Sequence, residues 1–110
     1  MIEKRQPVIL DGRFATIRLT RGLFAIVDCH HFDEINRYRW RPVRSSYCIY
    51  AARRVHRDGH EYLIYMHRAI MHTPPYLECH HKNRYTLDCR ESNLENKTPP
   101  AHAAEHGRPL

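Results

Sequence analysis

Apolar and polar residues alternate over residues 14–19 as Phe14, Ala15, Thr16, Ile17, Arg18 and Leu19. A period of two belongs to a strand with one buried face. After Thr20-Arg21-Gly22 comes Leu23-Phe24-Ala25-Ile26-Val27, the expected partner strand, with Gly22 in the turn. Asp28 is placed to cap a short helix running to about Arg39, with Phe32, Ile35, Asn36 and Tyr38 as a rough stripe and Trp40 closing it. Residues 47–55 are rich in β-formers, Asp58-Gly59 supplies a tight turn, and residues 61–66 read as the return strand. Residues 67–71 predict a short helix stopped by Pro74-Pro75. Beyond it, residues 76–80 predict a strand, 82–92 an ordered polar loop and 93–97 a second strand. Thr98 as cap and Pro99 at the first helical position then open a helix over 101–106 that Gly107 stops. The class is α+β: a small antiparallel sheet with a short helix, followed by strand, loop, strand and helix.

The 110 residues make one domain's worth of chain, small enough for a bound metal to matter to folding as well as to chemistry. Charge narrows the partner. The net charge is +6 with histidine neutral, and arginines cluster at Arg37, Arg39, Arg41 and Arg44 and again at Arg53, Arg54 and Arg57. Such clusters displace counterions from phosphates, so a nucleic acid is one candidate partner and a merely soluble basic surface is the alternative. Cys29, Cys48, Cys79 and Cys89 form no C-x-x-C pair, and residues 1–7 lack the apolar stretch of a signal peptide. Reduced thiols and a cytoplasmic protein are therefore expected. No stretch approaches the roughly 20 apolar residues of a membrane span.

Hydrolysing a phosphodiester requires a base for the attacking water, charge neutralisation at phosphorus and stabilisation of the departing oxygen. Cleavage must remove about 20 kcal/mol from the barrier. A general base alone contributes about 3–5 kcal/mol, so a metal is expected too. His80 and His81 are adjacent at the end of a predicted strand. Asn93 follows twelve positions after His81, and His102 nine after Asn93. Neighbouring side chains on a strand face opposite ways, so two adjacent histidines serve one site only where the strand ends and bends.

Met66-His67-Arg68-Ala69-Ile70-Met71, Pro75, Cys79-His80-His81-Lys82-Asn83, Leu87-Asp88, Arg90, Ser92-Asn93-Leu94 and His102 together resemble the HNH endonuclease family, in particular its small phage and homing-type members. The likeness is strong over about residues 62–106 and looser over 17–40. It implies a ββα-metal module, with one divalent ion (Mg²⁺, Mn²⁺, Ni²⁺ or Zn²⁺) between strand pair and helix. It also implies double-stranded DNA as the partner, cleaved to 5′-phosphate and 3′-hydroxyl ends. By this resemblance His81 is the general base, Asn93 orients it, His80 and His102 are metal ligands, and Asp88 is a structural loop residue. The family's usual Asp-His-x-Asn-Gly run becomes His80-His81-Lys82-Asn83-Arg84. An imidazole replaces a carboxylate ligand, and an arginine, which tolerates positive φ poorly, replaces a glycine.

His30-His31 lacks a downstream Asn and His pattern and reads as surface at a helix start. His106 lies one turn beyond His102, and the spacing from Asn93 favours His102. His67 reads as helix packing, Cys79 as a small buried residue, and Trp40 and Phe32 as core anchors. Arg53, Arg54 and Arg57 on the 47–60 ribbon, with Arg68 and Lys82, are the expected DNA contacts. Residues 1–65 form the basic, DNA-gripping segment and 66–110 the nuclease module, with monomer and homodimer both open. Two rivals remain: the same fold as an inactive DNA-binding or regulatory protein, and a structural zinc protein with a closed coordination sphere.

Overall fold

The computed structural model describes residues 9–10 and 12–99. The first sheet has the order β1-β2-β3, with β1 (Ile9–Leu10), β2 (Phe14–Arg18) and β3 (Phe24–Asp28) all antiparallel. The alternation in β2 buries Ala15 and Ile17 and turns Arg18 to solvent. A 3-10 turn at Thr20–Gly22 links β2 to β3, with Arg21 at φ 65° and Gly22 at φ 77°. Helix α1 (Cys29–Ile35) then packs on this sheet.

Two features of α1 differ from the sequence expectation. It ends at Ile35, four residues before Arg39, because Trp40 folds back beneath it and donates from Nε1 to the Ile35 carbonyl at 2.7 Å. Asp28 stands at the cap position, but its carboxylate does not cap the helix. It accepts the Glu91 amide at 2.8 Å instead. A contact across 63 residues has displaced the local one.

The second sheet is β4-β5-β6, from β4 (Arg41–Ser45), β5 (Cys48–Arg57) and β6 (His60–Tyr65). The β5–β6 hairpin turns at Asp58 (φ 52°) and Gly59 (φ 77°), the left-handed pair that matches strand twist. The third strand, β4, carries Arg-Pro-Val-Arg-Ser and has no alternation to announce it. Pairing with β5 imposes its extended form, and Pro42 is tolerated because β4 lies at the sheet edge. Helix α2 (Met66–Met71) follows directly and ends at His72 in the left-handed region, ahead of Pro74-Pro75.

The third sheet is the hairpin of β7 (Glu78–His81) and β8 (Leu94–Lys97). The loop between them is stitched to β3: Ile26 donates to the Leu87 carbonyl, and Cys89 donates to that of Ile26, both at 2.8 Å. One buried cluster joins the parts, with Ile17, Val27 and Trp40 beside Met66, Ile70, Leu87 and Leu94. Residues from both halves of the chain therefore share a single core. Among the described residues no helix is long and apolar enough to cross a membrane.

Candidate active-site cleft

An open cleft of about 540 Å³ lies where β7 passes the β5 and β6 strands and the start of α2. Tyr50, Tyr65, His67, Glu78, His80, His81 and Arg84 are among its lining residues. The two adjacent histidines reach one cleft because β7 ends at His81, and the chain then turns through Arg84, whose amide donates to the His81 carbonyl. His80 keeps its imidazole 3.4 Å from the Glu78 carboxylate, two positions back on the same strand face. His81 packs its ring 4.6 Å from that of His67 and 5.9 Å from that of Tyr50, centroid to centroid. His67 in turn stacks on Tyr50 at 5.5 Å.

This aromatic enclosure sets the protonation state. Burial first, and then the neighbouring His81 and Arg68, push His67 down to about 3. Burial pushes His81 down to about 4, with His80 adding to the effect and the negative Asp88 opposing it. Both rings are neutral at pH 7. The Nε2 atom of His81 is enclosed and has no hydrogen-bond partner among the described residues. An enclosed polar atom without a partner costs about 1–3 kcal/mol, a cost a small polar ligand can relieve.

Both shifts bear on stability. In the unfolded chain an imidazole titrates near 6.5. Below that pH the unfolded state takes up protons that the folded state refuses, so stability is flat above it and falls with acidification. One such imidazole contributes a loss of about 2 kcal/mol by about pH 5. The melting temperature is therefore expected to fall by several degrees between about pH 7.5 and about pH 5. His67→Phe, which keeps a ring in the stack, is expected to flatten that decline. An unchanged slope in thermal melts of the variant would remove His67 from the account.

Asn93 is buried, and its side chain does not meet the His81 ring directly. Its Oδ1 accepts the Asn83 amide and its Nδ2 donates to the Asp88 carbonyl, each at 2.9 Å, while its own carbonyl accepts the Lys82 amide at 2.7 Å. These bonds hold the loop that follows His81, so Asn93 is a positioning residue. Asp88, nearly fully buried, takes two hydrogen bonds from the Arg90 guanidinium, at 2.7 and 2.6 Å, and one from Asn83 at 2.9 Å. Burial pushes its carboxyl up, but the Arg90 and Asn83 donors outweigh this and hold it below the ordinary range.

Arg84 adopts φ 67°, in the left-handed region. A side chain held there carries a steric cost of about 1–2 kcal/mol. Arg84→Gly is expected to stabilise the fold by about 1 kcal/mol in urea denaturation while removing a cation from the cleft.

The expected DNA-contact residues are unequally placed. Arg53 lies over the Tyr38 ring at 3.8 Å and near Trp40, so it braces the core edge. Arg54 pairs with Glu61 at 2.6 Å on an exposed ribbon face, and Arg57 is exposed near its tip. Arg68 lines the cleft but donates to the Leu77 and Pro74 carbonyls, both at 2.9 Å, fastening the loop into β7. Lys82 is exposed beside His81. His102, with His106, lies outside the described residues, as does the terminal helix expected there.

Sequence reasoning passed over Glu78, which its period-two relation to His80 could have singled out, and it grouped Tyr50 with the arginines of the 47–60 ribbon, whereas Tyr50 lines the cleft beside His81. Comparison with protein-family models, with curated proteins and with solved structures finds no match to this chain.

Proposed function

We propose that this protein is a metal-dependent DNA endonuclease of the HNH type, with residues 66–110 as a ββα-metal module and His81 as general base. One observation carries the reading. Adjacent His80 and His81 line a single cleft at the end of β7, and burial holds His81 neutral. Neutral imidazole is the form that accepts a proton. His81 takes that proton from the attacking water, and the nearby negative charge of Asp88 favours the imidazolium that results. Asn93 keeps His81 in place through the backbone of residues 82–88. Arg84 lines the cleft and offers a cation to a phosphate that enters it.

At the cleft the imidazole of His80 faces the Glu78 carboxylate, and a mixed nitrogen and oxygen pair is the kind of donor that Zn²⁺, Ni²⁺ or Mn²⁺ takes; among the described residues no third ligand group converges with them. In this proposal His80 and His102 hold the ion, with Glu78 beside His80. When bound, the ion neutralises phosphate charge and stabilises the departing 3′-oxygen. A zinc protein closed by histidine and cysteine ligands has less support: among the described residues the group of converging candidate ligand atoms is Asp28, His30, His31 and Glu91, and it includes no cysteine.

The test is incubation with supercoiled plasmid. Nicked circles are expected with Mg²⁺, Mn²⁺ or Ni²⁺ and none in the presence of a chelator. DNA binding without cleavage under every ion would establish the inactive, DNA-binding reading. Unfolding on chelation, without DNA binding, would establish the structural-zinc reading.

A further inference from the structure

A second group of metal-capable side chains lies away from the cleft. Asp28 ends β3, His30 and His31 form the first turn of α1, and Glu91 opens the 3-10 turn Glu91–Asn93. One ligand atom from each lies within 4.8 Å of all the others. The two imidazoles converge: Nε2 of His30 is 3.1 Å from Oε2 of Glu91, and Nε2 of His31 meets the same oxygen. Their ring centroids are 4.2 Å apart. Consecutive helical side chains diverge by roughly 100° around the axis, so convergence on one atom is not what the helix alone produces. Glu91 does not depend on the histidines for its place, because Asp28 holds its backbone amide.

We propose that Asp28, His30, His31 and Glu91 form a binding site for one divalent transition ion, of the Zn²⁺ or Ni²⁺ kind. Two ligands about 2.0–2.1 Å from a tetrahedral ion lie about 3.3 Å from each other, close to the His30–Glu91 spacing found here. Two imidazole nitrogens select against Mg²⁺ and Ca²⁺, which prefer oxygen alone. Four protein ligands complete a tetrahedron, so the site braces structure and offers no open position for chemistry. What it braces is specific. Glu91 and Asn93 belong to the same turn, and Asn93 positions the loop after His81. An ion here ties that turn to β3 and α1 and stabilises the folded state by mass action. The proposal stands apart from the nuclease reading, since it uses none of the cleft residues.

The experiment is equilibrium dialysis of the full chain against Zn²⁺, with metal counted per chain, alongside thermal melts with and without Zn²⁺. His30 is an exposed side chain whose removal leaves the core untouched. His30→Ala and Glu91→Gln are each expected to weaken one bound Zn²⁺ at least tenfold and to shrink the Zn²⁺-dependent rise in melting temperature. His60→Ala, at an exposed histidine of β6 that belongs to neither site, is expected to leave both readouts unchanged. Parent-like Zn²⁺ stoichiometry and affinity in both His30→Ala and Glu91→Gln would overturn the site, and so would a parent chain that binds no Zn²⁺. Plasmid nicking is scored separately, so loss of this site and loss of the endonuclease reading are distinguishable.

Discussion

His81→Ala is expected to lower the rate of plasmid nicking by about 10²–10⁴-fold while DNA affinity changes less than threefold. The separation follows from the geometry. His81 offers the phosphate no charge, since burial keeps it neutral, so its removal takes away proton transfer and little else. Its ring also packs against that of His67, so alanine leaves a gap beside a buried imidazole. Some stability is expected to go with the rate. His81→Gln fills more of that space without supplying a base, and it is expected to be nearly as inactive with a smaller loss in melting temperature. Single-turnover kinetics on saturating plasmid check both variants. If His81→Gln nicks within tenfold of the parent, His81 is not the base. Asn93→Ala supplies the contrast. It acts through the loop, so it is expected to lower both rate and stability.

Much of this arrangement is legible in the chain, and the divide between what is and what is not has a physical basis. The β5–β6 hairpin announces itself because its alternation and its Asp58-Gly59 turn are local features. Strand β4 does not, because nothing in Arg-Pro-Val-Arg-Ser favours extension until β5 supplies partners. The early end of α1 belongs to the same class, being set by the Trp40 indole returning to Ile35. At the site, spacing brings His80, His81 and Asn93 to notice. It cannot say that His67 and Tyr50 wall His81, since they come from α2 and β5. Charge clusters show abundance and not availability. Arg53 and Arg68 look free in sequence, yet a tyrosine face engages one and two backbone carbonyls the other. The His30-His31 pair shows the reverse: its partners Asp28 and Glu91 converge only because residue 91 folds back onto β3.

Arg90→Ala is expected to destabilise the protein by about 3–5 kcal/mol, the cost of leaving a buried carboxylate without its counter-charge. Asp88 is almost wholly enclosed, and Arg90 provides the charge-assisted bonds to both of its oxygens. With Arg90 removed, the Asn83 amide and the backbone amide of residue 90 remain as donors, neither of them charged. The carboxyl then gains by protonating, so the variant's stability is expected to recover in part as pH falls through the carboxylate range, against the acid-labile trend of the parent. The guanidinium also lies over the Phe14 ring at 4.7 Å, so Arg90→Lys, which keeps charge but loses the planar fork, is expected to recover less than half of the loss. Replacing both partners with apolar residues, as in the double variant Asp88→Leu with Arg90→Met, is expected to cost less than the sum of the single changes, because no uncompensated charge remains. Urea denaturation of the four chains gives the coupling energy. A coupling below about 0.5 kcal/mol would mean that the pair is placed by the loop and does not hold it. The consequence reaches the site: Asp88 lies between the two backbone bonds that stitch the loop to β3, and its carbonyl receives the Asn93 side chain. Loosening this pair therefore releases the turn after His81, and nicking is expected to fall with stability in the same order across the four chains.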